Sequence, residues 1–137
     1  MIPGTVNDAL EATIPLTLEK DAGDAQPVEA VIDTGFNGFL TLPPARIAAL
    51  GLPWLCRQRG FLADGSVQVF DVYEAVLQWD GRTRKVEVES VDAEPLVGMA
   101  MLERHELRIQ VISGGAVTVQ AEQQVVDGRR WVTIAVR

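Results

Sequence analysis

Val31-Ile32-Asp33-Thr34-Gly35-Phe36-Asn37-Gly38 is the stretch that decides how this chain folds. An apolar run enters an aspartate, a small hydroxyl residue and a glycine, and a second apolar run, Phe39-Leu40-Thr41-Leu42, follows at once. Asp-Thr-Gly alone would fit any turn. Its setting between two short strand patterns gives it weight. Pro43-Pro44 stops the second run, and proline is pre-set for the first helical position. Ala45 to Leu50 are good helix formers, and Gly51 supplies a C-terminal cap.

Upstream, the even positions from Leu10 to Glu19 read Leu, Ala, Ile, Leu, Leu, while the odd ones are mostly polar. That period of two predicts a strand with one buried face. Pro15 falls on the outer face and cannot donate to a ladder, so it predicts an edge or a bulge. A polar turn over Lys20 to Ala25 leads into a strand across Val28 to Ile32.

Downstream, Asp64-Gly65 and Asp80-Gly81 each separate strand-like runs, a hairpin signal because a type I′ turn needs positive φ at both central residues. Ser66 to Trp79 is long enough for a bent strand, and Lys85 to Val91 alternates with Val86 and Val88 inward. After Pro95, Leu96-Val97-Gly98 precedes a short helical segment, Met99 to Arg104. Leu107, Ile109 and Val111 alternate as a strand, Ser113-Gly114-Gly115 turns, and Val117 and Val119 continue as its partner. The tail from Ala121 carries a third Asp-Gly, Asp127-Gly128, before Trp131. The expected fold is mostly β, a small closed barrel with one or two short helices. Residues 1–120 are expected to form the domain, and 121–137 a C-terminal extension, either an extra strand or hairpin of the same domain or an ordered appendage.

Composition narrows the function. The 137 residues suit one domain, and 47% hydrophobic content supplies its core. A net charge of −7, from 12 Lys and Arg against 19 Asp and Glu, argues against nucleic acid, which needs a basic face. No apolar run approaches the roughly 20 residues of a membrane-spanning helix, and Met1-Ile2-Pro3-Gly4 lacks a signal-peptide pattern. No membrane partner and a cytoplasmic location are the expectations. One cysteine, Cys56, and one histidine, His105, argue against a structural zinc site. Cys56 reads as a small hydrophobe, His105 as a surface or helix-end residue, and Trp54, Trp79 and Trp131 as core or interface anchors. The run Arg82-Thr83-Arg84-Lys85 reads as the solvated face of a hairpin. Ser66 and Ser113 have no His-Asp partners, which removes a serine-hydrolase reading.

With the motifs in order, the chain resembles the retroviral-like (retropepsin-type) aspartic proteases, above all their small bacterial single-domain members. The resemblance covers roughly residues 5–120. It rests on Asp33-Thr34-Gly35, on Gly60-Phe61-Leu62-Ala63-Asp64-Gly65-Ser66 at the place of the family's flap, and on Leu96-Val97-Gly98 at the place of its apolar-apolar-glycine segment. It implies a homodimeric acid-protease barrel, a peptide or protein substrate, and neither cofactor nor metal. Asp33 would be catalytic, one from each subunit. Two carboxylates about 3 Å apart cannot both ionise, so one activates water while the other protonates or hydrogen-bonds the scissile carbonyl.

The same resemblance implies that the Thr34 hydroxyl reaches across the dimer to the partner loop. Gly35 would let backbone pass close to the opposing carboxylate, and Gly98 would serve close packing behind the loop, though ordinary turn geometry also explains both glycines. Phe61, Leu62, Ala63, Asp64 and Gly65 would form the flap and its substrate-binding surface, with Leu96, Val97 and Gly98 supporting the loop. Phe61 and Leu62 either touch substrate or pack within the hairpin, and Asp64 reads as a turn residue. Phe36 departs from the family, which carries a small or hydroxyl residue there. It removes a stabiliser of the ionised aspartate and adds bulk beside the cleft, which predicts an optimum of about pH 4 to 6, less acidic than pepsin's. A different class stays open beside the protease: a non-catalytic dimerising or peptide-binding module on the same fold. A chance Asp-Thr-Gly in an unrelated β-barrel is the third reading.

Overall fold

The computed structural model describes residues 1–20, 23–61, 63–126 and 129–132, with side chains followed through Glu122. β1 (Ile2–Val6), β2 (Ala12–Glu19) and β3 (Ala25–Ile32) run as an antiparallel meander. β4 (Leu40–Leu42) leads into α1 (Pro44–Leu50), which Gly51 caps at φ 65°. β5 (Trp54–Phe61), β6 (Val67–Trp79) and β7 (Arg82–Ser90) are joined as two antiparallel hairpins. β8 (Leu96–Val97), α2 (Met99–Leu102), β9 (His105–Ile109) and β10 (Ala116–Ala121) follow, and β11 (Gln123–Val126) pairs with β12 (Arg129–Val132) as a separate two-stranded sheet. Asp127 and Gly128 lie outside the described residues.

The main sheet has the strand order β5-β6-β7-β4-β8-β3-β2-β1-β10-β9. β6 also pairs with β2, through Thr17↔Gln78 and Leu18↔Leu77, so β2, β3, β8, β4, β7 and β6 form a ring of strands. With 56% strand and 9% helix the mostly-β expectation holds. The ring encloses the core: Ile14, Leu16 and Leu18 of β2, Val28 and Ala30 of β3, Leu40 and Leu42 of β4, Leu77 of β6, Val88 of β7 and Met101 of α2 are buried in one cluster.

The alternation in β2 is realised from Ile14 onward, after Ala12 and Thr13, which are both buried. Leu10 is the exception, 59% exposed at φ 60° in a turn where its N–H donates to Asn7 O. Pro15 sits in an interior strand, yet without cost. β3 pairs along one side of β2 through Pro15↔Glu29, while on the other side the β1 pairing stops at Thr13 and the β6 pairing begins at Thr17. The missing donor falls in that gap. The Asp80-Gly81 turn has positive φ at both residues, 51° and 78°, as a two-residue hairpin requires.

Two local expectations are corrected. The strand read from Leu107 through Val111 ends at Ile109, because the chain turns beyond it, with Ile112 N–H donating to Gln110 O and Gly115 N–H to Ile112 O, and Val111 is left 64% exposed. The basic run on β7 is not uniformly solvated. Arg84 points to the core side, with its guanidinium 5.6 Å from the Phe39 ring and 5.7 Å from the Trp79 ring, and it donates to Met101 O at 2.9 Å. Burial lowers its pKa from the ordinary value.

Leu40 is fully buried and pairs with Val97 on one side and Val88 on the other. Leu40→Ala is expected to cost about 2–5 kcal/mol, since the surrounding strands cannot collapse into the void. A urea titration measures it, and a midpoint equal to wild type would contradict the packing.

Candidate active site

β3 delivers Asp33 to the end of a strand, and β4 carries the chain back alongside it. Between them lies β8, parallel to β3 through Val31↔Leu96 and Ile32↔Val97 and antiparallel to β4 through Leu40↔Val97 and Thr41↔Leu96. The loop 33–39 therefore passes over the end of β8 and is bonded to it. Asp33 N–H donates to Val97 O at 2.9 Å, and Gly98 N–H donates to Phe39 O at 3.0 Å. Met99 and Ala100, whose N–H groups open α2 and have no partner inside that helix, donate to Phe36 O at 2.8 Å and Gly38 O at 3.1 Å.

Gly98 is required by this crossing. A Cβ there would lie 2.3 Å from Gly38 O, 2.6 Å from Phe36 Cδ2 and 2.7 Å from Phe36 O. The close-packing explanation thus prevails over turn geometry at this position. Thr41, a hydroxyl residue in an otherwise apolar strand, is buried and accepts Leu96 N–H at 3.1 Å, giving β8 one more anchor.

The Asp33 side chain is half-buried, and its Oδ1 accepts the Gly35 N–H at 2.9 Å. Among the described residues no other hydrogen-bond donor and no cation engages this carboxylate. A Cβ on Gly35 would approach Oδ1 to 3.2 Å, a tight but smaller conflict. Thr34 is exposed, and its hydroxyl has no hydrogen bond to the described residues. The loop therefore presents one fixed carboxylate, with Oδ2 open, beside one open hydroxyl. Such a group can take or give a proton, and a second carboxylate is needed before two can share one. Among the described residues, no three His, Cys, Asp or Glu side chains converge as metal ligands would.

Phe36 is half-buried in the same loop. Its ring lies against Gly38 and Gly98, where added Cβ atoms would be 2.5 Å from Cζ and 2.6 Å from Cδ2. Two side chains are missing beneath the ring, and it fills their place.

The hairpin of β5 and β6 carries Phe61, Ala63, Asp64 and Gly65; Leu62 lies outside the described residues. Phe61 is 78% exposed, and Val67 and Val69 are 53% and 57% exposed, so the tip is not packed on its own chain. No described hydrogen bond or ion pair joins it to the Asp33 loop. Asp64 is a turn residue, as expected: its Oδ1 accepts the Ser66 hydroxyl at 2.6 Å and the Ser66 N–H at 2.9 Å, and these bonds hold its pKa below the ordinary value, with Gly65 at φ 83°. Nearer the hairpin base, Trp54 is 55% exposed, and its indole N–H donates to Asp71. That bond first, then Arg57, lowers the Asp71 pKa.

Sequence reading missed Glu89 of β7. Its Oε1 lies 3.5 Å from the point where a Gly38 Cβ would stand, and no described residue offers it a hydrogen bond or counter-charge. Burial, then Glu87, raises its pKa. The only sequence signal was an acidic residue ending an alternating strand. His105 is more engaged than a surface histidine: its Nε2 accepts the Trp79 indole N–H at 3.2 Å and its Nδ1 faces Glu103 O at 2.8 Å.

With the geometry in place, comparison with known proteins adds no name: no family model matches the chain, and no curated protein matches it.

Ionising Glu89 costs stability, because its folded-state pKa stands above the unfolded one. The cost is absent below the ordinary value of 4.5 and complete above the raised value. Glu89→Gln is expected to raise the urea midpoint at pH 7, with the gain vanishing as pH falls below 4.5. Equal midpoints at both pH values would show that the carboxylate is fully solvated.

Proposed function

We propose that the chain is an aspartic endopeptidase of the retropepsin-like type, working as a homodimer on extended peptide or protein segments. The observation that carries the reading is the Asp33 loop itself: a carboxylate oriented by the Gly35 N–H, on a backbone bonded at both ends to the Val97–Ala100 segment. Rigidity of that kind is what acid–base chemistry on a water molecule needs.

The loop supplies one carboxylate, and water activation between two requires another. A second copy related by a two-fold axis supplies an identical one, with the axis passing between the two Asp33 side chains. The exposed Thr34 hydroxyl, which bonds to none of the described residues, suits a contact across that axis. An extended substrate would lie between the loops and the β5–β6 hairpins, held by main-chain hydrogen bonds and side-chain pockets. The exposed apolar tip at Phe61, Val67 and Val69 suits that cover. The non-catalytic alternative on the same fold rests on the bulk of Phe36, and an Asp33 loop bonded at both ends favours the catalytic reading.

Cleavage of a mixed peptide pool over about pH 3 to 7 tests the reading. Wild type is expected to cleave, most actively at about pH 4 to 6, and Asp33→Asn is expected to be inactive while remaining folded and dimeric. An Asp33→Asn protein as active as wild type would end the proposal. Activity per chain is further expected to fall on dilution, because a monomer holds half a site. Specific activity that stays constant while sedimentation shows monomers would remove the dimeric mechanism.

A further inference from the structure

We infer that Phe36 is a positioning residue for Asp33, its ring seated in a socket left by Gly38 and Gly98. The inference deepens the proposed protease reading and rests on it for its catalytic consequence. Phe36 follows the Asp33-Thr34-Gly35 turn directly, and its backbone is tied on both sides. Its N–H donates to Asp33 O at 3.2 Å, and its carbonyl accepts Met99 N–H at 2.8 Å. The ring then reaches both glycines at once. A Cβ on Gly38 would stand 2.5 Å from Cζ and 2.6 Å from Cε1, and one on Gly98 would stand 2.6 Å from Cδ2. Each distance is well inside van der Waals contact, so the absence of two side chains is what admits the ring.

The arrangement gives the loop a mechanical stop. Turning the Asp33 peptide would move Phe36 with it and lift the ring from the junction of β8 and α2. A phenylalanine has no hydroxyl with which to hold the carboxylate, so position 36 acts on Asp33 through packing. Its ring has only two torsions to fix, and contact with both glycine positions limits where it can turn. Removing this half-buried ring would take away that contact and loosen the loop at the point where a small displacement costs most in rate.

Gly38 allows the ring to be tested separately from the backbone. A Cβ at Gly98 also strikes Gly38 O and Phe36 O, so its substitution confounds several conflicts. At Gly38 the conflicts are with the ring alone; the next atom, Glu89 Oε1, is at 3.5 Å, an ordinary contact. Gly38 is also not among the residues at positive φ, so alanine there is free of backbone strain.

The experiment compares wild type, Phe36→Leu, Phe36→Ala, Gly38→Ala and the Phe36→Ala/Gly38→Ala pair. Peptide-cleavage kcat and KM, hydrogen exchange at the Gly35 amide and urea midpoints are measured where all five are folded. Phe36→Ala and Gly38→Ala are each expected to lower kcat about 10- to 100-fold with KM little changed, and to speed exchange of the Gly35 amide that bonds Asp33 Oδ1. Phe36→Leu is expected to retain most of both properties. In the Phe36→Ala background the added cost of Gly38→Ala should disappear, because the atoms it strikes are gone. Wild-type kcat and Gly35 exchange in folded Phe36→Ala would overturn the inference, as would a Gly38→Ala cost that persists without the ring. Should wild type cleave no peptide, the protease reading fails, and Gly35 exchange with the stability cycle still decides whether Phe36 positions Asp33.

Discussion

The threading of β8 between β3 and β4 is the constraint on which the remainder of the structure depends. Two residues, Leu96 and Val97, complete two ladders at once, one parallel and one antiparallel. Without them β3 and β4 would be separate strands joined by a free loop. With them, the loop 33–39 must cross the chain where β8 becomes α2, and the backbones meet closely enough that Gly98 alone fits. The crossing also satisfies the first N–H groups of α2, which a helix of four residues could not satisfy itself. A fixed Asp33 is thus a consequence of the topology rather than of the aspartate's own few bonds.

Supports around this crossing come from distant parts of the sequence. Thr41 accepts the Leu96 N–H, and Arg84 ties β7 to the end of α2 while lying beside Phe39 and Trp79. Arg84 illustrates how a charged residue serves a core margin: its stem and planar head cover aromatic rings while one N–H bonds a carbonyl that α2 leaves unpaired. The hairpin of β5 and β6 contrasts with this. It presents Phe61, Val67 and Val69 to solvent, and among the described residues its tip is held by the Asp64–Ser66 turn and the β5–β6 ladder up to Phe61↔Val67. A floor tied down by distant backbone and an apolar arm open to solvent are thus built on opposite principles.

Much of the fold was legible because its signals are local. Period-two alternation marked β2 and β7, Pro44 and Gly51 bracketed α1, and Asp80-Gly81 fixed a two-residue turn. The failures share a cause. Leu10 and Val111 continue an apolar alternation but lie in turns, where neighbouring backbone bonds, not side-chain pattern, decide the conformation. Arg84 read as solvated because charge was counted without knowing that Phe39, Trp79 and the end of α2 converge on it. Pro15 read as an edge or bulge signal, and only the break between two partners on one side of β2 explains its place inside the sheet.

The sequence by itself determined which residue types meet the demands of this loop: an aspartate after a buried strand, a hydroxyl, a glycine, and a distant apolar-apolar-glycine segment. It determined these because strand periodicity, turn chemistry and the steric freedom of glycine are properties of short stretches. The tertiary structure alone decided that β8 lies between β3 and β4, that Phe36 turns its ring onto Gly38 and Gly98, and that Glu89 comes to Gly38 with no partner among the described residues. Those contacts join residues up to about sixty positions apart, and no local pattern encodes which distant backbone will fill a gap left by a missing Cβ.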